Sequence, residues 1–229
     1  MSTDRAASAL KWWNDAGVDT IVAEAPRNWL ERAVAKPVSA AEPEAPAEMP
    51  ATLDAFQAWL ASAALPFAPP SAPRLSPAGD PASGLMVMTD MPALGGVFFG
   101  GEAEELFDNM MAAMKPPRGR ETIYLATLSP ARTPSGVLDR SSETALAAIA
   151  RHHIGLAAPR ALLLFGDACA RALLGAPVTK ARGRWHALAT PGGEIRTLAT
   201  IKPDNLVGQR TLKRLAWDDL KMLMEELTP

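Results

Sequence analysis

The stretch Arg160–Gly175 reads RALLLFGDACARALLG, and it contains the alternation on which the fold depends. Its first part, Arg160–Phe165, is a short apolar run of the kind that forms a fully buried strand. Gly166 then provides a turn, and the small and apolar residues of Asp167–Leu174 fit a short helix. A strand that runs through a glycine turn directly into a helix predicts an α/β unit.

The same alternation of apolar strands and amphipathic helices extends through the second half of the chain. Three further strands are predicted at Leu85–Thr89, Thr122–Thr127 and Ile195–Thr200. Three longer helices are predicted at Glu102–Lys115, Ser141–Leu156 and Thr211–Leu227. Strands that alternate with helices pack as a parallel sheet with helices on both faces. We therefore expect a three-layer α/β/α fold around a central, mostly parallel four-stranded sheet.

The first fifty residues differ in composition from the rest and predict a separate organisation. A helical docking segment is expected over residues 1–35, with a capped helix at Ala6–Asn14. Residues 36–50 are rich in Pro, Ala and Glu, which is typical of a disordered linker. Residues 51–229 form the remaining domain, which begins with a predicted helix at Thr52–Leu65.

Three tryptophans give the N-terminal segment an apolar surface that two short helices cannot bury by themselves. They are Trp12, Trp13 and Trp29. One interpretation is a tethered amphipathic peptide that inserts aromatic anchors into a groove of a partner protein. The alternative is that the segment folds back onto its own domain.

Cysteine and histidine usage limits the possible cofactors. Cys169 is the single cysteine among 229 residues, which excludes an internal disulfide and a cysteine-ligated iron–sulfur or zinc site. The three histidines show no metal-ligand spacing, so we expect no metal and no cofactor. No apolar run reaches the roughly 18 residues of a membrane span, and no signal peptide is evident. A cytoplasmic protein without membrane contact is expected.

The net charge of −2 hides an uneven distribution. Residues 1–110 carry six basic and fifteen acidic side chains, whereas residues 111–229 carry seventeen basic and ten acidic ones. A basic half can present a positive face to a polyanion, and we expect DNA as a partner. The alternative is that these charges are scattered over the surface and solvated.

Four polar loops follow the predicted strands. Asp90 follows the first strand, Ser129–Pro134 the second, Gly166 and Asp167 the third, and Lys202 the fourth. The carboxyl ends of parallel strands meet at one edge of a sheet, where ligands of such folds bind. We therefore expect a site at this edge, with the alternative that Asp90 is simply a turn former.

Taken in order, these segments resemble the uracil-DNA glycosylase superfamily, particularly its family 4-like bacterial branch. The matching segments are collinear: Phe98–Met114, Arg120–Pro134, Pro159–Gly175, Thr179–Leu188 and Leu198–Leu223. The resemblance implies a uracil-DNA glycosylase-like α/β fold. The cysteines that bind an iron–sulfur cluster in family 4 are missing, and Ala131 occupies one of the matching places.

The resemblance also implies roles for four positions. Glycosylases of this kind flip a uracil out of the base stack and stabilise its departure while water attacks the sugar. Asp90 matches the acid that orients the water, Phe99 the phenylalanine that stacks on the base, and Thr127 the asparagine that reads the uracil amide. Lys202 replaces a histidine that donates a hydrogen bond to uracil. Because Thr127 lacks the paired donor and acceptor, and a lysine aims its donor less accurately, the pocket is expected to be catalytically degenerate.

The same resemblance implies a set of basic residues that face DNA. The four expected to contact it are Arg132, Arg182, Arg184 and Arg210. Phosphate contacts need positive charge but little geometric accuracy, so DNA binding can outlast catalysis. The alternative is that these arginines support loops through contacts with carboxylates and carbonyls.

The leading hypothesis is therefore a uracil-DNA glycosylase-fold protein of DNA replication or repair that acts through DNA or protein binding. Its tethered N-terminal segment also resembles, in architecture only, the psi subunit of bacterial replicative clamp loaders. The rival hypothesis is an active, atypical uracil-DNA glycosylase that uses Asp90 and Lys202 to hydrolyse the N-glycosidic bond of a flipped uracil.

Overall fold

The computed structural model describes residues 8, 12, 49–63, 65, 71–115 and 117–227. The chain divides into two compact units, Met1–Pro46 and Ala47–Pro229. Among the described residues of both units, no helix is both long enough and apolar enough to cross a membrane.

In the first unit the structure describes Ser8 and Trp12. Both are helical, and the Trp12 side chain is 64% exposed. The remainder of the predicted helix at Ala6–Asn14, together with Trp13 and Trp29, lies outside the described residues. The prediction that these tryptophans bind a partner stays a prediction.

The second unit is built on a six-stranded mixed sheet. Its strands are β1 (Ala78–Gly79), β2 (Leu85–Thr89), β3 (Tyr124–Thr127), β4 (Ala161–Phe165), β5 (Trp185–Thr190) and β6 (Gly193–Thr200). Their order across the sheet is β1-β3-β2-β4-β6-β5. The four central strands are parallel to their neighbours, and the two edge strands are antiparallel. The α/β class is confirmed, whereas the prediction of a four-stranded sheet is wrong because it omits both edge strands.

Both omitted strands have weak sequence signals for a physical reason. Strand β1 contains only Ala78 and Gly79, which is too short for a pattern. Strand β5 forms a hairpin with β6, in which Thr190 pairs with Gly193 across a two-residue turn. Because β5 is an edge strand with much of its length solvated, it lacks the continuous apolar run that marks the central strands.

Seven α-helices occur among the described residues of this unit. They are α1 (Leu53–Ser62), α2 (Glu102–Ala112), α3 (Arg140–Ala157), α4 (Asp167–Leu174), α5 (Val178–Ala181), α6 (Pro203–Leu206) and α7 (Arg210–Leu227). The five helices predicted in this part of the chain are all present. Two begin at side-chain caps: the Thr52 hydroxyl accepts from the N–H of Ala55, and the Asp139 carboxylate accepts from that of Ser142.

The sheet separates two apolar cores. Alternate residues of β2 face opposite sides, so Met86 and Met88 pack in one core with residues of α3 and α4. Leu85 and Val87 pack in the other core with residues of α2 and α7. Helices therefore cover both faces of the sheet, which is compatible with the expected three-layer arrangement.

A partly buried chain of hydrogen bonds connects α1 to the sheet. Gln57 Nε2 donates to the Tyr124 hydroxyl at 2.7 Å, and this hydroxyl lies 2.8 Å from His153 Nε2. Burial lowers the pKa of His153 to about 4, and neighbouring His152 adds a smaller effect. His152 Nε2 lies 2.8 Å from the carbonyl oxygen of Pro50. Both histidines are thus part of the packing that holds α1 against α3.

Candidate functional site

The four parallel strands end in register at one edge of the sheet. Thr89 at the end of β2 is aligned with Thr127 of β3 and with Phe165 of β4. Phe165 is in turn aligned with Thr200 at the end of β6. The four loops that follow these strands therefore begin at the same level of the fold, where a ligand site is expected.

Two cavities open at this edge, with volumes of about 380 and 280 Å³. Asp90, Asp167 and Lys202 line both of them, so the two cavities belong to one cleft, which we call the carboxyl-edge cleft. The structure thereby brings together Asp90 and Lys202, the two residues predicted to be catalytic.

Asp90 is held in the cleft by the first turn of α4. Its Oδ1 accepts a hydrogen bond from the backbone N–H of Cys169 at 2.8 Å. This carboxylate does for α4 what an N-cap side chain usually does, because the N-cap residue is Gly166, which has no side chain. Burial raises the pKa of Asp90, and the Cys169 amide and the Lys202 ammonium offset part of that rise.

The turn between β4 and α4 requires glycine. Gly166 has φ of +102°, a conformation that side chains strongly disfavour. A Cβ at this position would lie 2.3 Å from Oδ2 of Asp90. The absence of a side chain at Gly166 is therefore what allows the Asp90 carboxylate to reach the end of the helix.

Lys202 lines the cleft from the segment that follows β6. It is the N-cap residue of α6 and follows β6, which ends at Thr200. Its side chain is 16% exposed, and Nζ lies 3.4 Å from Oδ2 of Asp204. The ammonium is thus mostly enclosed and already has one carboxylate neighbour.

Two arginines also line the cavity of about 280 Å³. Arg171 donates through Nε and Nη2 to the buried carboxylate of Glu143, which neutralises its charge. Arg132 is exposed, and its Nη1 donates to the Pro92 carbonyl at 3.0 Å. Arg132 makes no ion pair with any described residue.

Phe99 and Thr127, the two residues predicted to bind a base, do not line the cleft. Phe99 is fully buried, with its ring stacked on Phe107 at a centroid distance of 4.7 Å and edge-on to Phe165 at 5.9 Å. Thr127 is buried at the end of β3. Stacking of a base on Phe99 would require this ring to leave the core.

Arg182, predicted to contact DNA, is bound within the fold. Its Nη2 and Nε donate to Oδ1 and Oδ2 of Asp219 at 3.0 and 3.1 Å. The buried Asp219 also accepts from the Thr200 hydroxyl at 2.7 Å and from the Gly183 N–H at 3.1 Å. Burial raises the pKa of Asp219, and these partners offset part of the rise. This is the loop-supporting contact that was the alternative to DNA binding.

The other two arginines of the predicted DNA-binding set are exposed. Arg184 and Arg210 make no ion pair with residues that the structure describes. Arg184 lies just before β5, in the segment that follows the cleft residue Thr179. Arg210 begins α7, three residues before Lys213, which lines a separate apolar groove. The structure therefore does not bring Arg210 into the carboxyl-edge cleft.

Three groups that support the cleft have no role in the sequence-based prediction: the Cys169 amide, the Glu143 carboxylate and the Asp219 carboxylate. A signal exists for two of them. Gly166 leaves the N-terminus of α4 without a local acceptor, and Asp219 falls among the apolar residues on the buried side of α7. No sequence pattern marks Glu143, because 28 residues separate it from Arg171.

The described residues contain no group of three or more His, Cys, Asp and Glu side chains placed to hold a metal ion. Comparison of the chain with protein-family models gives no match, and comparison with curated proteins gives none either.

Proposed function

We propose that this chain is a uracil-DNA glycosylase-fold protein of DNA replication or repair that binds nucleic acid and lacks efficient base excision. The observation that carries the proposal is a contrast between the predicted site residues: two cations line the cleft, whereas the candidates for base binding are buried. Lys202 and Arg132 line the cleft as cations, whereas Phe99 and Thr127 are packed into the core and the sheet. A cleft of this kind retains the means to bind phosphate without the means to hold a uracil.

Three carboxylates also line the cleft, and each has a partner in the fold: Asp90 the Cys169 amide, Asp167 the Arg171 guanidinium and Asp204 the Lys202 ammonium. The exposed cations beside them favour a phosphate backbone as the ligand. Arg132 is exposed and lacks an ion pair among the described residues, and Lys180 and Arg184 have the same properties in the segment after Thr179. Such contacts are insensitive to base sequence, and they weaken as the salt concentration rises because the release of counterions from the DNA is then less favourable. We therefore expect binding that is sequence-independent and strongly dependent on salt.

The test is a fluorescence anisotropy titration of labelled single-stranded and double-stranded oligonucleotides, repeated at several salt concentrations. Lys202→Ala and Arg132→Ala are each expected to weaken binding and to lower its dependence on salt. Arg196→Ala is the control. Arg196 is an exposed cation on β6, but it is aligned with Ala161 at the start of β4, at the end of the strand opposite to the cleft. Equal binding by all four proteins would refute the proposal.

A second candidate is base excision, favoured by the presence of Asp90 and Lys202 in the same two cavities. In that reaction a water oxygen bonds to the sugar C1′ and the N-glycosidic bond breaks. The bonding electrons leave with the uracil, and a proton acceptor such as the Asp90 carboxylate takes up the proton of the water. Release of uracil, read as alkali-sensitive strand cleavage and abolished in Asp90→Asn, would establish this candidate. No release at high protein excess would remove it.

The N-terminal tryptophans extend the proposal to a protein partner. Trp12 is exposed, as an aromatic anchor for a groove would be. By analogy with the psi subunit, the partner expected for this segment is a replicative clamp loader. We expect the purified chain to co-elute with that assembly, and the variant with Trp12, Trp13 and Trp29 changed to Ala to lose this co-elution. A wild-type chain that does not co-elute, or a variant that still does, would contradict the proposal.

A further inference from the structure

Helices α2 and α7 enclose an apolar groove of about 260 Å³ that shares no residue with the carboxyl-edge cleft. We call it the α2–α7 groove. Its apolar lining residues include Leu106, Met110, Leu206, Ala216, Trp217 and Leu220. Trp217 is 36% exposed, although it adjoins an apolar cavity in which an indole would normally be buried.

Acidic residues border the groove on the α2 side. Glu102 and Glu105 stand one helical turn before Leu106 and Asn109, two residues of the groove wall. Both glutamates are exposed and make no ion pair with any described residue. Their neighbours on the other flank of α2 differ, because Glu104 and Asp108 both bind Arg120.

Basic residues border the groove on the α7 side. Lys213 lines the groove itself, and Arg210 stands one turn before it. Both side chains are exposed and have no ion pair within the described part of the chain. Cations in the first turns of a helix oppose its dipole, so their place there does not stabilise α7.

The groove thus has an apolar lining with Lys213 on its α7 side, and three further charged residues stand one helical turn before lining residues: Glu102 and Glu105 on α2 and Arg210 on α7. None of these four side chains has an ion pair among the described residues. A nucleic-acid strand would be repelled by Glu102 and Glu105. A purely apolar partner would leave all four charges unpaired. An occupant that satisfies the whole surface presents a large apolar side chain, a basic edge opposite the glutamates and an acidic edge opposite the cations.

This chain has that combination itself. If a two-fold axis runs along the groove, α2 of one copy faces α7 of the other. Glu102 and Glu105 then face Arg210 and Lys213 of the other copy twice over, and each Trp217 enters the groove of its partner. We propose that the α2–α7 groove is the interface of a homodimer. The inference is independent of the proposed function, and it assigns Arg210 to this interface in place of DNA.

The test is sedimentation velocity of the full chain over a micromolar concentration series. The wild-type chain is expected to dimerise, and Trp217→Ala to weaken dimerisation at least tenfold. Arg184→Glu is the control, since it reverses an exposed charge outside the groove and should leave the dimer intact. Circular dichroism of each variant establishes that it is folded.

Charge reversal makes the test specific. The double variant Glu102→Lys with Glu105→Lys has basic residues at these positions on both helices, and Arg210→Glu with Lys213→Glu has acidic residues there on both. Each is expected to be monomeric alone, and an equimolar mixture is expected to form a heterodimer. A wild-type chain that stays monomeric throughout, or reversed variants that dimerise as the wild type does, would overturn the proposal.

Discussion

The carboxyl-edge cleft and the α2–α7 groove differ in how their charged groups are used. In the cleft, Asp90 accepts the Cys169 amide, and Arg171 binds Glu143. Next to it, Arg182 is bound to the buried Asp219. Beside the groove, the acidic and the basic residues stand on separate helices. Most cleft charges, with Arg132 as the exception, are bound within the fold, whereas the charges beside the groove have no ion pair among the described residues.

The comparison shows why a basic composition is a poor guide to a binding site. Arg182 and Arg184 are two residues apart in a segment that resembles a DNA-binding loop. One is bound internally through a buried carboxylate and the other is exposed. Only the fold distinguishes them, and we expect substitutions of the internally bound groups to cost more stability than substitutions of the exposed ones.

The largest effect is expected for Arg182→Ala. Removing this guanidinium leaves the buried Asp219 carboxylate without its counter-charge, and breaking a buried pair in this way costs about 3–5 kcal/mol. Arg184→Ala should change the free energy of unfolding by less than about 0.5 kcal/mol, because the side chain is exposed. Urea denaturation of the two variants measures both values. Similar losses would mean that the two arginines do not differ in the way described.

The next effect is on the pH dependence of stability, and it concerns the buried His153. In the unfolded chain this histidine binds a proton below its ordinary pKa of 6.5, whereas in the fold it stays neutral down to about 4. Protons therefore favour the unfolded state, and the wild-type chain should lose up to about 3 kcal/mol as the pH falls through this window.

His153→Gln should flatten that part of the profile, because glutamine keeps a polar partner for Tyr124 but does not titrate. Thermal unfolding measured at a series of pH values from neutral to acidic gives the comparison. His186→Gln is the control, and it should retain the acid loss of the wild-type chain. A profile for His153→Gln as steep as that of the wild type would refute the assignment.

Alanine substitutions of the glycines at the two ends of α4 distinguish the stability cost of a steric conflict from that of an unfavourable backbone conformation. Gly166→Ala places a Cβ against the Asp90 carboxylate at a positive φ and should cost about 1–3 kcal/mol. Gly175 also has a positive φ of +73°, but its Cβ position is open, so Gly175→Ala should cost less. The difference in urea midpoint measures the conflict with Asp90. Equal costs would show that the Asp90 carboxylate can move away from the new Cβ at little cost in stability, and that its hydrogen bond to Cys169 is not essential to the fold.

The smallest effect is expected for Asp90→Asn. The asparagine oxygen can still accept the Cys169 amide, while the cost of ionising a buried carboxyl disappears. Since the folded pKa of Asp90 lies above its ordinary value of 3.8, the wild-type chain loses stability as the pH rises from that value through the folded pKa. The variant should therefore gain in melting temperature relative to the wild type at neutral pH, but not at strongly acidic pH. A difference that is constant with pH would contradict this account.

The order of the central elements could be predicted because it depends on short-range patterns. The apolar runs at Leu85–Thr89 and Ala161–Phe165 lie in the middle of the sheet, where both faces are covered, so burial leaves a continuous signal. The edge strand Trp185–Thr190 has one solvated side and gave no such signal. Pairing with β6, which a sequence pattern does not encode, decides its conformation.

The site could be predicted only as far as the topology determines it. Aligned strand ends bring Asp90 and Lys202 into one cleft, and this follows from the order of the elements. The burial of Phe99 does not follow from the order of the elements. Whether this ring lies in the cleft wall or in the core depends on its contacts with Phe107 and Phe165. Those contacts join three separate segments, and no local motif reports on them.

The hydrogen bond between Asp90 and Cys169 also has a kinetic meaning. It joins residues that are 79 positions apart, so the first turn of α4 cannot be completed by its own segment. We expect that turn to acquire its cap only when β2 and β4 have paired. The Cys169 amide should therefore exchange with solvent deuterium as slowly as the central strands do, whereas amides elsewhere in short helices exchange by local fraying. A single long-range acceptor thus couples the opening of a helix end to the opening of the sheet.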